Sequence, residues 1–332
     1  MTAERVAGRL HVLTQYAWPD EAPTGIYAVD VAEAVAATGR EAVVVASRGS
    51  YRAARRRAPA VPIERVDHRP GGRGDLLRTL VEYRSVTAAF ARYIRDRVRR
   101  GDTVLVVSAP PDTPWLLGDI RARGARAVYW LQDFYPELLR GVLDPPRPVR
   151  ALLAGAFRRA LIGWDAVVKI AENLAYEAPN ARVIRNWPTL DLGAPRPAVP
   201  KTALYSGNLG YGHHVGRFVA RCRELVDAGY TVTIRADGPG VARLPPWLPA
   251  SPLLDDLDDL ARSYWQAEVH LVAGHPDIEG AVFPSKLWNS LAAGRRVVEA
   301  GFGARMRREL EVARAADFRT HLPRWVELLA AP

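Results

Sequence analysis

The sequence predicts an α/β protein built from two doubly wound parallel-sheet domains, and three observations carry this prediction. The chain has 332 residues, which exceeds one ordinary hydrophobic core and fits two domains of about 100 to 200 residues each. Short apolar runs alternate with amphipathic stretches from residue 10 to residue 170. The same alternation begins again after a proline-rich stretch at residues 195–200.

The first series begins with a strand near residues 10–16, continues through a loop that contains Gly and Pro, and reaches a helix at residues 25–38 that Gly39 closes. The further strands of this series are predicted at residues 42–46, 61–66, 103–108, 127–131 and 166–170. Helices between them are predicted at residues 76–99, 114–123 and 149–162. Because buried, β-branched strands alternate with helices, we expect a parallel sheet that is covered on both faces.

The second series follows the proline-rich stretch, which we interpret as a linker. Its strands are predicted at residues 202–205, 231–234, 269–272 and 296–299, and its helices at residues 214–227, 257–266 and 285–293. We therefore expect an N-terminal domain at residues 1–195 and a C-terminal domain at residues 196–305. Residues 306–332 have helical spacing and form a C-terminal tail that could pack back on the N-terminal domain.

The composition excludes several classes of protein. With 48% hydrophobic and 25% charged residues, the chain is neither collagen, coiled coil nor wholly disordered. Its apolar runs fall short of the ~20 residues that span a bilayer, and the first nine residues contain no stretch typical of a signal peptide. The single cysteine, Cys222, has no partner for an internal disulfide. We therefore expect a cytoplasmic enzyme.

The formal net charge is +10, yet only three of the 46 basic residues are lysines, namely Lys169, Lys201 and Lys286. This bias indicates GC-rich coding, so we expect much of the arginine to be solvated surface. No nucleic-acid recognition motif accompanies the charge, and we expect no nucleic-acid partner. Arginines and apolar residues are mixed at residues 84–100 and 147–159, as in peripheral membrane helices. Helices that only cover a sheet have the same pattern, so both interpretations stay open.

Two turns of the second series are candidates for binding a phosphate. Residues 205–210, Tyr-Ser-Gly-Asn-Leu-Gly, join a strand to a helix, and glycines there let the backbone approach an anion at the helix N-terminus. Residues 237–240, Asp-Gly-Pro-Gly, end the next strand. Either stretch also fits a tight turn without a ligand. The candidate binding residues of this region are Gly207, Asn208, Gly210, His213, Asp237 and Gly238.

The most informative stretch is Glu-Gly-Ala-Val-Phe-Pro-Ser-Lys-Leu-Trp-Asn-Ser-Leu-Ala-Ala-Gly at residues 279–294. Pro284 and Ser285 can open a helix and Gly294 can close it. We expect this helix to begin in the cleft between the two sheets, where doubly wound sheets bind ligands. The Ser285 hydroxyl, the Lys286 ammonium and free backbone amides would then neutralise a diphosphate. The alternative is an N-capped helix with one surface lysine.

Two loops of the first series are expected at the same cleft. The loop at residues 15–25 again joins a strand to a helix, and its last members, Thr24 and Gly25, are candidates for lining the cleft. Asp133 follows the strand that ends at residue 131, which places it at a carboxyl end. Asp133 fits a helix cap equally well.

Taken together, these motifs resemble the retaining glycosyltransferases of family 4, and in particular their bacterial amino-sugar and deoxysugar transferases of surface-polysaccharide and natural-product pathways. The family has the GT-B architecture, in which two Rossmann-like domains face each other across a cleft. The resemblance covers residues 10–300, and the Pro-Ser-Lys to Ala-Gly block is its most specific element. The segments that carry it are residues 15–21, 133–137, 183–187, 205–210 and 284–294.

The resemblance has one clear departure. Family members commonly carry two glutamates in the spacing E-x7-E, and the second of them holds the donor ribose. Asn289 stands at the second position here, and Ala281 lies where strict spacing puts the first. Glu279, two residues earlier, could reach the donor sugar instead. Asn186, in the segment 183–187, is assigned to the acceptor side of the cleft.

The resemblance implies transfer of a hexosyl or N-acetylhexosaminyl group from a nucleotide-sugar donor, most often a UDP-sugar, to a small-molecule or lipid-linked acceptor with retention of configuration. Asp133, Lys286 and Glu279 are its catalytic candidates, and no cofactor beyond the donor is expected. The D-x-D sequence at residues 256–258 binds a metal in another glycosyltransferase fold, but here it fits the acidic first turn of a helix, so we expect no metal.

Three alternatives stay open from the sequence. A GT-B sugar-nucleotide epimerase would share the donor cleft. A catalytically inactive GT-B partner protein would bind the same ligand, and the missing second glutamate keeps this alternative open. The third alternative is a nucleic-acid or membrane binding module.

Overall fold

The computed structural model of the protein describes residues 8–20, 22–48, 57–71, 76–138, 145–194, 196–210 and 212–330. Two separate parallel sheets organise these residues, as the sequence predicts. In the described ranges, no helix is long and apolar enough to cross a membrane.

The first sheet has seven strands in the spatial order β3-β2-β1-β4-β5-β6-β7. The strands are β1 (Leu10–Thr14), β2 (Ala42–Ser47), β3 (Ile63–Val66), β4 (Thr103–Val107), β5 (Arg126–Leu131), β6 (Ala166–Lys169) and β7 (Ala181–Val183). The helices between them are α1 (Pro23–Ala36), α2 (Leu76–Arg97), α3 (Leu117–Ala122), α4 (Tyr135–Leu138) and α5 (Arg147–Ile162). Strands β1, β2, β4 and β6 are buried at every position, which explains why most of their residues are apolar.

The second sheet has five strands in the order β10-β9-β8-β11-β12. They are β8 (Val199–Asn208), β9 (Thr231–Asp237), β10 (Ala250–Ser251), β11 (Ala267–Ala273) and β12 (Arg296–Ala300), with helices α6 (Val215–Asp227), α7 (Leu257–Gln266) and α8 (Lys286–Ala292). The strand order reverses between β1 and β4 in the first sheet and between β8 and β11 in the second. In doubly wound sheets, a ligand crevice opens at the carboxyl ends of such a switch point.

The predicted elements correspond closely to the observed ones, with a few differences. Helix α7 has the predicted bounds, whereas the predicted helix at residues 114–123 is a 3-10 turn (Thr113–Leu116) followed by α3. The sequence gives no signal for β7 and β10, which have three and two residues and are too short for a periodic pattern.

The C-terminal segment forms two helices, α9 (Ala304–Ala315) and α10 (His321–Ala330). Helix α10 packs against α1, and the fully buried Trp325 lies with its ring centre 4.3 Å from that of Trp130 in β5. The tail therefore contributes to the core of the first sheet. The division into domains at residue 195 remains our interpretation of the two sheets.

Candidate functional site

A cavity of about 210 Å³, which we call the central pocket, opens at the carboxyl ends of β8 and β9. The predicted site residues in its lining are Gly207, Asn208, Asp237, Ser285, Lys286 and Asn289. The other lining residues come from α1, from the segment between the sheets, from β8 and from the region of α7, namely Pro23, Thr189, Ser206, Leu253, Leu254, Asp255, Leu257, Leu260 and Tyr264. Both halves of the chain thus contribute to one site.

The Lys286 side chain lies directly against the end of β8. A Cβ atom at Gly207 would come within 2.0 Å of Lys286 Cε, and Gly207 has a φ of 138°, so only glycine fits there. The Lys286 ammonium lies 5.5 Å from the centre of the Tyr205 ring. Burial lowers the pKa of Lys286 to about 8, while Asp237 opposes this shift. Within the described chain, Lys286 Nζ has no hydrogen bond or ion pair, so it is available to an anion.

The turns after β8 and β9 fit together through Asn208. A Cβ atom at Gly238, whose φ is 94°, would lie 2.2 Å from Asn208 Oδ1. The amide of Leu209 donates to the carbonyl of Asp237 at 2.8 Å. Gly210 lies beside the same asparagine side chain. Gly210 and Gly238 therefore pack against Asn208, which lines the central pocket, without lining it themselves, and Asp237 is a lining residue.

The start of α8 differs from a simple capped helix. Ser285 occupies the N-cap position, but its backbone is helical and its hydroxyl makes no capping hydrogen bond. The carbonyl of Pro284 accepts instead from Leu287 at 3.1 Å. Because α8 has only seven residues, its dipole is short, and the anion-binding capacity of this site depends mainly on Lys286 and the Ser285 hydroxyl.

Asp133 follows β5 at the carboxyl edge of the first sheet. Its amide and that of Gln132 donate to Ser108 Oγ at 3.2 Å and 3.0 Å. Burial raises the pKa of Asp133 to about 7, and the described residues provide no partner for its carboxylate. Tyr83 and Tyr135 have raised pKa values through burial and through the charge of Asp133. Asp133 is thus a poorly solvated carboxylate among tyrosines, which is unlike a helix cap.

The loop before α1 reaches the central pocket through Pro23. A Cβ atom at Gly25 would lie 2.6 Å from the carbonyl oxygen of Tyr16, so glycine allows this loop to fold back on the helix. Gly25 also lines a second cavity of about 430 Å³, which shares Leu257 with the central pocket. Thr24, the neighbour of Gly25, lines neither cavity and is half-buried.

No protein-family model and no curated protein matches the chain, but solved structures match nearly all of it. WaaG, a glycosyltransferase involved in lipopolysaccharide biosynthesis, is 12% identical with a TM-score of 0.59, and the match covers 97% of this chain and 100% of that chain. The α,α-trehalose 6-phosphate synthase of Burkholderia multivorans is 15% identical with a TM-score of 0.57, and the match covers 98% and 92%.

A third similar structure is UGT89C1 of Arabidopsis thaliana complexed with UDP-L-rhamnose, which is 11% identical with a TM-score of 0.55 and coverage of 98% and 90%. At such low identity these matches establish the architecture of the chain. The chain has the GT-B fold. The central pocket therefore lies in the cleft of a GT-B fold, on the side of its C-terminal sheet.

Asn289 lines the GT-B cleft, but its amide is engaged elsewhere. Oδ1 accepts from the amides of Thr189 at 2.8 Å and Leu190 at 3.3 Å, and Nδ2 donates to Thr189 Oγ1 at 3.2 Å. Asn289 thus fastens α8 to the segment that joins the two sheets. Its expected contact with a donor stays a prediction, because these three bonds use much of its capacity.

Glu279 does not face the central pocket. Its Oε1 accepts from the amide of Met306 at 3.3 Å, and a Cβ atom at Gly303 would lie 2.7 Å from the same oxygen. The carboxylate therefore caps the first turn of α9, and the expectation that it reaches the donor sugar has no support in this geometry. Its partner lies 27 residues away, so no local pattern reveals the contact.

Asn186 is buried in the protein, whereas we expected it on the acceptor side of the cleft. Its side chain is 1% exposed and exchanges two hydrogen bonds with Gln132, at 2.9 Å and 3.3 Å. Its carbonyl accepts from Nδ1 of His321 at 2.8 Å. Asn186 is closed off from the cleft because it joins β5, the inter-sheet segment and α10.

His213 and His214 are adjacent in the sequence but make different contacts. Nδ1 of His213 accepts from the amide of Gly210 at 3.1 Å, and burial together with Lys286 lowers the pKa of His213 to about 3. His214 caps α6 by accepting from the amide of Arg217 at 3.2 Å. A contact between His213 and a diphosphate stays a prediction, since His213 does not line the central pocket.

The D-x-D sequence forms a helix start, as expected. Asp256 Oδ1 accepts from the amides of Asp258 and Asp259 at 2.9 Å and 3.0 Å, which caps α7. Among the residues that the structure describes, no group of three or more His, Cys, Asp or Glu side chains could hold a metal ion. Metal independence itself stays a prediction.

Sequence reasoning missed the apolar wall of the central pocket. Leu253, Leu254, Leu257, Leu260 and Tyr264 supply it. Leu257, Leu260 and Tyr264 have helical spacing, which predicts that they share the inner face of α7. Only the order of the strands shows that the first turn of this face reaches the cleft. Thr189 was missed too, because it lies in a segment without periodicity.

Proposed function

We propose that the protein is a glycosyltransferase that moves a sugar from a nucleotide diphosphate donor, a UDP-sugar in the first instance, to a hydroxyl or amine of a small-molecule or lipid-linked acceptor. The observation that carries the proposal is the Lys286 ammonium in the central pocket of a GT-B cleft, which has no hydrogen-bond or ion-pair partner among the described residues. The similar structure of UGT89C1, which was determined with UDP-L-rhamnose, supports a UDP-sugar as the donor.

In the proposed reaction, the bond between the anomeric carbon and the diphosphate oxygen breaks, and negative charge grows on the departing diphosphate. Lys286 and the Ser285 hydroxyl would stabilise that charge inside a partly dehydrated pocket, where such interactions are strong. The apolar wall formed by Leu253, Leu254 and Leu257 offers a surface for the nucleoside. Asp133 would hold the acceptor on the opposite side of the cleft.

We further propose that the enzyme belongs to the retaining family 4, on the strength of the Pro-Ser-Lys to Ala-Gly block. In retention by front-face attack, the departing phosphate oxygen takes the acceptor proton. The protein therefore needs mainly to position the donor and the acceptor and to stabilise the charge of the diphosphate. Retention through a covalent intermediate would need a carboxylate close to the anomeric carbon, and Glu279 is turned away from the pocket.

The proposal is tested in two steps. UDP at 100 times its dissociation constant should stabilise the wild-type fold by about 2.7 kcal/mol and should have no such effect on Lys286→Met. Turnover of a UDP-sugar panel with acceptor then separates an enzyme from an inactive partner protein, and free epimerised sugar would instead indicate an epimerase. No stabilisation by any nucleoside diphosphate would contradict the placement of the donor.

Stereochemistry tests the family assignment. Proton NMR of freshly formed product from an α-linked gluco-configured donor should give the small anomeric coupling of an α-glycoside. A β-linked product would overturn retention and would assign Asp133 as a general base, for which a pKa near neutrality is suitable.

A further inference from the structure

Apolar side chains are exposed on one region of the N-terminal sheet layer, which we call the α2–α5 patch. Its members are Leu77, Leu80 and Val81 of α2, Trp115 of the 3-10 turn, and Val149, Leu152 and Leu153 of α5. Leu77 and Leu152 are 75% and 74% exposed, and Trp115 is 57% exposed. Isolated exposed leucines are common, but seven large apolar side chains in one region mark an interaction surface.

The topology of the sheet makes these residues neighbours. Helix α2 lies between β3 and β4 in the chain, α3 between β4 and β5, and α5 between β5 and β6. All three connections run in the same direction across the sheet, and the first of them passes over β2 and β1. Right-handed crossovers therefore place all three helices on one face. The 3-10 turn packs against α2, α3 and α5, and Trp115 lies edge-on to Phe157 of α5 with a centroid distance of 6.4 Å.

The patch also lies at the functional edge of the sheet. Each exposed residue is near the start of a helix or turn that follows a strand, so it lies toward the carboxyl ends of the strands. Phe157 of α5 packs edge-on against Phe134 at 5.2 Å, and Phe134 directly follows Asp133. The α2–α5 patch is thus joined through two aromatic contacts to the proposed acceptor side of the cleft.

The charge around the patch has a single sign on α5. The helix contains no Asp or Glu and carries Arg147, Arg150 and Arg159, together with Arg158, which turns back to the protein and donates to the carbonyl of Ala175 at 3.0 Å. Beside α2, an open hollow of about 880 Å³ is bordered by Arg69, Arg84 and Arg92 together with Leu77, Leu80 and Val81. The acidic residue of this hollow, Asp67, pairs with Arg48 at 2.6 Å. Exposed apolar side chains surrounded by arginines match the interface of an anionic bilayer.

We propose that the α2–α5 patch docks the protein on an anionic membrane surface, with its apolar side chains in the acyl-headgroup boundary and its arginines at lipid phosphates. The inference is independent of sugar transfer. If the proposed function also holds, docking brings the acceptor side of the cleft to the membrane.

Vesicle cosedimentation tests the docking. The purified full chain should bind vesicles that contain 30% phosphatidylglycerol in phosphatidylcholine, and binding should weaken as NaCl rises, because salt screens the arginines. Leu77→Ser combined with Leu152→Ser should lower the partition coefficient at least tenfold. A matched control pair is Val312→Ser with Val226→Ser, which removes exposed valines of α9 and α6 outside the patch and should leave binding unchanged.

Two results would overturn the inference. The first is that the wild-type protein stays in the supernatant when it is mixed with anionic vesicles. The α2–α5 patch would then be a surface for a protein partner. The other is equal loss of binding in the patch pair and the control pair. Stabilisation by UDP, measured on the same preparations, reports on the donor site separately. A protein that binds vesicles but ignores UDP would contradict the proposed function alone.

Discussion

Replacing Lys286 by methionine should stabilise the fold while it removes diphosphate binding. Burial lowers the pKa of Lys286 from 10.5 to about 8, and one pKa unit corresponds to about 1.36 kcal/mol. The protonated side chain therefore costs up to about 3 kcal/mol of folding free energy at pH 7. Since Lys286 as a whole residue is only half-buried, solvent reduces this cost. We expect Lys286→Met to gain about 1 to 3 kcal/mol.

The shifted pKa of Lys286 also determines how the stability of the fold changes with pH. Between pH 8 and pH 10.5 the unfolded chain keeps the Lys286 proton that the folded chain has lost. The stability contributed by this group therefore rises with pH in that window and is lowest below it. The advantage of Lys286→Met over wild type should be full at pH 7 and should disappear above pH 10.5.

Urea denaturation at pH 7 and pH 9 measures this difference, with Lys201→Met as the control. Lys201 is an exposed lysine of the same sheet that contacts the Tyr230 ring at 4.6 Å, so its replacement should change stability little. The same Lys286 variant should lose at least ~100-fold in kcat/KM, because it lacks the stabiliser of the leaving group. A Lys286→Met protein that is less stable than wild type at pH 7 would refute the reasoning, and so would wild-type turnover.

Further predictions concern metal, Asp133 and Asn289. Activity should survive EDTA, and a loss that Mg²⁺ or Mn²⁺ restores would redirect attention to Asp256. The kcat/KM of the wild type should change near pH 7, and Asp133→Asn should remove that change. Because the raised Asp133 pKa destabilises the fold as pH rises toward 7, Asp133→Asn should unfold at higher urea than wild type at pH 8. Asn289→Ala should lower the free energy of unfolding by about 1–3 kcal/mol in urea denaturation, since the part-buried amide of Thr189 and the buried amide of Leu190 lose their acceptor. Asn289→Asp keeps an acceptor oxygen and should retain most of that stability.

Much of the fold could be predicted from local pattern. The bounds of α7 follow from an acidic first turn, the N-cap Asp256 and apolar residues in helical spacing. Strands β2 and β4 of the first sheet stand out because burial on both faces favours a nearly continuous apolar sequence. Strand β10 could not be predicted, because two residues paired with β9 leave no periodic signal.

The position of a site residue could be predicted where it depends on the local turn or helix start. It could not be predicted where the side chain binds a residue far away in the sequence. Lys286 stood out as a rare lysine at a helix start that follows a Pro-Ser pair, and it lines the central pocket. Glu279 and Asn186 are polar residues in the right segments, but their partners are Met306 and Gln132. Only tertiary packing decides whether such a side chain faces a ligand or the protein.

The apolar core of the N-terminal sheet continues without interruption into the C-terminal half. Phe283, Leu287 and Trp288 belong to the same buried cluster as the strands of the first sheet, and Met306 and Leu310 of α9 complete it. A wide opening between the two halves would expose these side chains to water, at about 25 cal/mol for each Å² of apolar surface. A large hydrophobic contact of this kind resists hinge motion. Substrate exchange is therefore expected to depend on movement of the loops around the cleft, with the two sheets keeping nearly constant separation.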